Sequence, residues 1–251
     1  MNHRLFVLVG LGLALAATPL RAAGPDPKAT AIADRVMEAL GGEKAWAGTR
    51  YLRFDWAVER GGRTLVKRSH TWDKYTGGYR LEGTTKEGKA YAVAMNLNTK
   101  AGKAVLDGKP LEGDALKKQL ESAYEAWVND TYWLIMPYKM KDPGVVLAMD
   151  GEEKSADGEW DKVRLSFEGV GLTPKDRYWA YVNRKTGLVD RWDFVLQGEK
   201  PPASTFTWKG WRKYANVMLA DDRVSPKDGT RIYFPLIEVP VSVPESTFTT
   251  P

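Results

Sequence analysis

Apolar side chains change their period several times along this chain, and those changes outline the fold. Between about Pro27 and Leu40, Ile32, Val36, Met37 and Leu40 recur at helical spacing and form one apolar stripe. Asp26 can cap this helix and Pro27 suits its first position, while Gly41-Gly42 ends it. From Arg50 the period becomes two. Leu52, Phe54, Trp56 and Val58 alternate with Arg53, Asp55, Ala57 and Glu59, as in a strand with one apolar face. Gly61-Gly62 and Gly77-Gly78 are turn signals, and a return strand over 64–75 lies between them. Tyr79 and Leu81 then alternate with Arg80 and Glu82, and Tyr91, Val93, Met95 and Leu97 follow the Glu87-Gly88 turn.

Helical spacing returns over about 113–128, where Leu116, Leu120, Tyr124 and Trp127 share a face. Asn129-Asp130-Thr131 reads as a capping group for a second, short apolar helix to Met136, stopped by Pro137. The second half is strand-like again. Val163, Leu165 and Phe167 alternate with charged and polar residues, 178–183 is aromatic on both faces, and Trp192, Phe194, Phe206 and Trp208 follow. Glycine-containing turns cut the chain into short segments, and no βαβ alternation or repeat is present. The pattern predicts a mostly β (α+β) protein of about ten strands with two or three helices.

The N-terminus alters the picture by adding a compartment. Arg4, the apolar run Leu5–Leu15 and the small residues around Ala22 follow the order of a secretory signal peptide. The run is too short for a spanning helix of about 20 residues. We therefore expect residues 1–22 to be a signal peptide cleaved near Ala22, residues 23–251 to form a single domain, and the mature chain to be periplasmic. The formal charge of +5 falls to about +3 after cleavage, and no run of five basic residues exists. That balance points away from nucleic-acid binding.

Candidate chemistry is sparse. Cysteine is absent, which excludes disulfides, thiolate metal sites and cysteine nucleophiles. After cleavage His70 is the only histidine, so no histidine-based metal centre or cofactor is expected, and His70 beside Trp72 reads as a strand-edge residue. No Gly-x-Ser-x-Gly elbow is present. Asp150 with Glu152-Glu153, and Asp221-Asp222, read as solvated turn acids or, as less favoured alternatives, as a cation site or the acid–base groups of a hydrolase.

The chain has 10 Trp, 11 Tyr and 7 Phe, and few helices to cover the sheet they crowd. A sheet that curls around its helices can bury them. The concave side is then either a solid core or a pocket for an apolar ligand. The order of elements resembles the LolA-like superfamily, while Asn129-Asp130-Thr131-Tyr132-Trp133-Leu134, Met136-Pro137-Tyr138-Lys139 and Lys141-Asp142-Pro143-Gly144 carry a closer likeness. That likeness is to a family of uncharacterised bacterial envelope proteins, which Tyr181-Val182-Asn183 and Thr186-Gly187-Leu188-Val189-Asp190 also match. The resemblance implies a strongly curved antiparallel half-barrel with an N-terminal helix and a mid-chain helical lid. It also implies a non-catalytic carrier for a lipid or acylated protein. No inward arginine of the lipoprotein carriers is matched, so lipoprotein release is not carried over.

On that reading the apolar cavity and lid would be built from Phe54, Trp56, Leu81, Tyr91, Val93, Tyr132, Trp133, Met136, Leu165, Phe167, Trp192 and Phe194. Lys139 and Lys141 would either contact a lipid headgroup or simply stop the helix. The alternative is a solid-cored monomer that works through contacts with another envelope protein.

Overall fold

A computed structural model describes residues 26–200 and 202–251. The signal-peptide expectation for residues 1–22 lies outside them. No helix among the described residues is long and apolar enough to cross a membrane.

Helix α1 (Pro27–Ala39) forms as its pattern requires. The Asp26 carboxylate accepts the N–H groups of Lys28 (2.9 Å) and Ala29 (3.2 Å), satisfying donors that an uncapped helix leaves free. Its second oxygen accepts the Met149 N–H at 2.7 Å and ties the helix start to a strand of the second half. Ala29, Ile32, Ala33 and Val36 make the buried stripe. Gly41 has φ +113°, and a Cβ there would sit 2.4 Å from the Asn216 carbonyl, so this turn requires glycine. A short helix that periodicity did not reveal, α2 (Glu43–Gly48), follows at once.

The strands form two main antiparallel sheets. The first comprises β1 (Tyr51–Arg60), β2 (Arg63–Asp73), β3 (Gly78–Thr84), β4 (Ala90–Asn96), β5 (Gly102–Leu106) and β6 (Lys109–Pro110), running as a meander. After helix α3 (Gly113–Ile135) come β7 (Val145–Ser155), β8 (Gly158–Phe167), β9 (Arg177–Asn183), β10 (Val189–Val195) and β11 (Ser204–Thr207), which form the second sheet. A hairpin of β12 (Arg212–Tyr214) and β13 (Val217–Leu219) intervenes. Then β14 (Asp222–Val224) and β15 (Arg231–Glu238) return to the first sheet, where β15 pairs with β1.

The two sheets meet at β11 and β14. The Lys209 and Asp222 backbones exchange hydrogen bonds of 2.9 and 3.2 Å, and the Thr207 hydroxyl accepts the Val224 N–H at 3.1 Å. The result is a large, strongly curved antiparallel surface that is not closed into a barrel, with helices on its concave side. More strands occur than the expected ten or so, because several are pairs or triplets of residues too short to carry a period.

Helix α3 differs from expectation at one point. It does not break at Asn129 but runs through as one helix to Ile135, followed by a 3₁₀ turn (Met136–Lys139) at Pro137. The polar triplet is accommodated inside the helix. Asp130 is fully buried against β2, and the Thr131 hydroxyl donates back to the Trp127 carbonyl.

Two apolar clusters lie under α3. The N-terminal half of the helix places Ala123 and Ala126 on Tyr79, Leu81, Val93 and Met95 of β3 and β4. The C-terminal half sends Leu134 and Ile135, and the 3₁₀ turn after it Met136, into the main core with α1, β1, β8–β10 and β15. Tyr138 closes that core. Its hydroxyl lies 2.9 Å from the Leu40 carbonyl and 2.8 Å from that of Met218, and its ring stacks on Trp46.

Candidate functional site

Strand alternation sends Tyr178 from β9 and Trp192 and Phe194 from β10 toward α3, with Phe206 from β11 and Phe167 at the end of β8 beside them. Helix α3 faces them with Val128, Asn129, Tyr132 and Trp133. The loop between β8 and β9 adds Val170, Leu172 and Asp176. These groups enclose a cleft of about 610 Å³, open to solvent at a rim where Leu172 is 53% and Leu196 37% exposed.

The aromatic wall is one interlocked set. Trp133 meets Trp192 edge-on at 4.7 Å between ring centres and Phe206 at 5.0 Å. Tyr178 stacks on Trp192 at 5.1 Å, and Tyr132 lies 5.6 Å from Tyr178. Such offset and edge-on pairs hold rings in place more firmly than area alone would.

Polar groups in the cleft are few, and they fix its shape. The buried Asp176 carboxylate accepts the Thr173 hydroxyl (2.6 Å), the Tyr178 hydroxyl (2.9 Å) and the Gln197 N–H (2.6 Å). This pins the β8–β9 loop to the segment after β10. Burial raises the pKa of both Tyr132 and Tyr178, reinforced for Tyr178 by Tyr132 and Asp176, so both hydroxyls stay neutral. The acidic residues lining the cleft are Asp176 and Glu199, and among the described residues no basic one lines it. It can hold an apolar or aromatic group and disfavours an anion.

The predicted site residues separate into three groups. Tyr132, Trp133, Phe167, Trp192 and Phe194 come together in the cleft. Phe54, Trp56, Met136 and Leu165 are packed in the main core and do not reach it. Leu81 and Val93 belong to the other cluster, with Tyr91 half-buried at its edge. Lys139 and Lys141 are not in the cleft lining: Lys139 pairs with Asp142 and Lys141 with Asp34.

Sequence reasoning missed Tyr178 and Phe206 as site residues, although both were legible as strand aromatics. It also missed Val128, Asn129, Leu172 and Asp176. The last two lie on a loop with no period, and nothing local marks them.

Behind the cleft lies a buried polar cluster. Arg68 donates to Asp130 at 2.7 and 2.8 Å, and Asn129, which faces the cleft, donates to the same carboxylate at 2.8 Å. His70 Nε2 lies 3.1 Å from Asp130, and its Nδ1 lies 2.8 Å from the Tyr79 hydroxyl. His70 is thus not an edge residue. It sits fully buried on β2, between β1 and β3, and burial lowers its pKa despite Asp130.

The acidic residues read as turn acids are mostly tied up in ion pairs. Glu152 pairs with Lys28 and Arg184, Glu153 with Arg191, Asp221 with Arg212 and Asp222 with Arg231. Among the described residues no group of three or more His, Asp or Glu side chains is placed to hold a metal ion.

No protein-family model matches the chain, and no curated protein does. Solved structures do. A DUF1329 family protein from Desulfovibrio piger aligns over 90% of this chain and 98% of its own length, with a TM-score of 0.51 and 13% identity. A LolA superfamily protein from Nitrosomonas europaea aligns over 88% of this chain and 97% of its own, with a TM-score of 0.52 and 10% identity. The protein therefore has a LolA-like fold, an open curved antiparallel sheet with a helix across its concave side. At these identities the likeness is one of fold.

Proposed function

We propose that the protein is an exported, periplasmic, non-catalytic binding protein whose mature part, residues 23–251, holds an apolar ligand, a lipid or the acyl chain of an acylated protein. The observation that carries this reading is the cleft of about 610 Å³ walled by Tyr132, Trp133, Phe167, Tyr178, Trp192, Phe194 and Phe206. Its volume falls within the roughly 300–1,000 Å³ range of small-molecule sites. A LolA-like fold, which one of its structural neighbours shares with proteins of that superfamily, is consistent with the reading and does not carry it.

The energetics are adequate. Burial of an acyl chain contributes about 0.8 kcal/mol per methylene, against at least about 4 kcal/mol for association. About ten buried methylenes therefore leave about 4 kcal/mol, an affinity near millimolar, and about fifteen, the length of a palmitoyl chain, bring it to about micromolar. The mechanism is sequestration, with no bond made or broken.

The test is mass spectrometry of organic extracts from protein purified out of its native envelope, together with a titration of N-phenylnaphthylamine read by tryptophan fluorescence. A co-purifying amphiphile and saturable probe binding are expected. Clean extracts and no saturable binding would leave the solid-cored, protein-contact reading, which the filled core around Phe54, Trp56 and Leu165 already favours for the rest of the concave side.

A further inference from the structure

The aromatic cleft does not stop at Tyr132. Helix α3 carries Leu116, Leu120, Tyr124, Val128 and Tyr132 at intervals of four residues, so they form one half-buried apolar ridge that winds around the helix by about 40° per step. The first three line a second cleft of about 480 Å³, and Val128 and Tyr132 line the aromatic one. Leu172, on the β8–β9 loop, lines both and is 53% exposed where they meet.

The two ends of this ridge differ in charge. Among the described residues the only Asp, Glu, Lys or Arg lining the aromatic end are Asp176 and Glu199. The other end has Lys100 and Lys117 together with Glu121 and Glu125, and none of these four takes part in an ion pair among the described residues. Ion pairs do form elsewhere on this surface, as at Arg53, Arg60, Arg184 and Arg231. Lys100, held at φ +59° in the turn before β5, places its ammonium 4.1 Å from the centre of the Tyr124 ring, over the groove.

We propose that the aromatic cleft is the inner end of a longer groove along α3, and that its ligand is a zwitterionic phospholipid. The chain lies in the aromatic end and the headgroup at the end formed by Lys100, Lys117, Glu121 and Glu125. This inference rests on the apolar-ligand reading above and adds the ligand class and its orientation.

Three considerations support it. The acidic aromatic end repels a phosphate, so the head must lie at the other end. Unpaired lysines offer donors to a phosphate, and unpaired glutamates accept an ammonium, which is the charge pattern of a zwitterion. The length also fits. From Leu116 to Tyr132 the helix rises about 24 Å at 1.5 Å per residue. One leaflet of a bilayer, headgroup included, is about 20–22 Å thick.

The experiment compares palmitoyl and octanoyl lysophosphatidylethanolamine, palmitoyl lysophosphatidylglycerol and palmitoyl alcohol as ligands of the wild-type chain. All are read by tryptophan fluorescence, and the palmitoyl ligands are repeated on a Lys100→Glu/Lys117→Glu variant whose melt is recorded alongside. Palmitoyl lysophosphatidylethanolamine should bind tightest, at least about tenfold above its octanoyl form, which corresponds to about 1.4 kcal/mol. The variant should lose at least about tenfold for that ligand and distinctly less for palmitoyl alcohol. Glycerophosphate alone should not displace the palmitoyl ligand.

Equal affinity for the two chain lengths, or equal losses for phospholipid and alcohol, would overturn the extended groove while leaving the apolar cleft intact. Preference for the phosphatidylglycerol form would overturn the zwitterionic head. Displacement by glycerophosphate would show a phosphate site without a chain groove. Failure of every ligand, and of N-phenylnaphthylamine, to bind wild type would instead remove the apolar-ligand reading itself.

Discussion

The two halves of α3 rest on the same curved sheet system in opposite ways. The N-terminal half puts Ala123 and Ala126 against Tyr79, Leu81, Val93 and Met95, and the small side chains let the helix seat directly on the strands. The C-terminal half puts Tyr132 and Trp133 against Tyr178, Trp192 and Phe194. Large rings on both sides hold the surfaces apart, and the β8–β9 loop, pinned through Asp176, walls off the space they leave. A helix thus becomes a clamp at one end and a cleft wall at the other through side-chain size alone. Between the halves, Asp130 anchors the helix to β2 through Arg68 and His70.

The largest effect should come from that anchor. Asp130→Ala removes the partner of Arg68 and leaves the buried His70 without its neighbouring carboxylate. Breaking a buried pair from one side costs about 3–5 kcal/mol, so a urea melt should shift by that amount. A loss below about 1 kcal/mol would mean the two halves are held independently of Asp130.

Trp133→Ala comes next and separates wall from core. Trp133 is half-buried at the cleft. Its loss should therefore cost less stability than the roughly 3–5 kcal/mol typical of an enclosed large aromatic, while weakening N-phenylnaphthylamine binding at least about tenfold. A full core-sized penalty with unchanged probe affinity would place Trp133 in ordinary packing and contradict the proposed cleft.

On the seated side, Ala126→Leu should destabilise by about 1–3 kcal/mol, since a tightly packed contact has no room for added methylenes. The denaturation midpoint measures this, and no change there would show that the two halves are packed alike.

The smallest effect is on pH dependence. Burial depresses the folded-state pKa of His70 below its ordinary value of about 6.5, so the unfolded chain binds the proton more readily. The contribution of neutral His70 is fully present above about pH 6.5 and is lost as pH falls from there through its lower folded pKa. Urea midpoints measured through this window should fall with pH, and His70→Gln should flatten that part of the curve. An identical slope in the variant would assign the effect to other groups.

The elements could be read from the linear pattern because each depends on near neighbours. The α1 stripe with its Asp26 cap, the alternation in β1 and β8–β10, and the turn at Gly41-Gly42 all follow from spacing and backbone chemistry within a few residues. The antiparallel curved sheet was implied by too many aromatics and too few helices. Five of the twelve apolar site candidates reached the cleft, because inward-facing aromatics on β8, β10 and α3 were visible as such.

Which inward residues enclose space and which fill it was not legible. Phe54 and Phe194 occupy equivalent positions in their strands' alternation, yet one is locked between His70 and Phe234 and the other lines the cleft. That outcome depends on how closely distant segments approach, and so on Ala126 in one place and Asp176 in another. The fate of Asp130 was decided in the same way. A helix cap and a buried ion-pair partner look alike along the chain. Only the arrival of Arg68 and His70 from β2, some sixty residues earlier, supplied the partners that made the buried position tolerable.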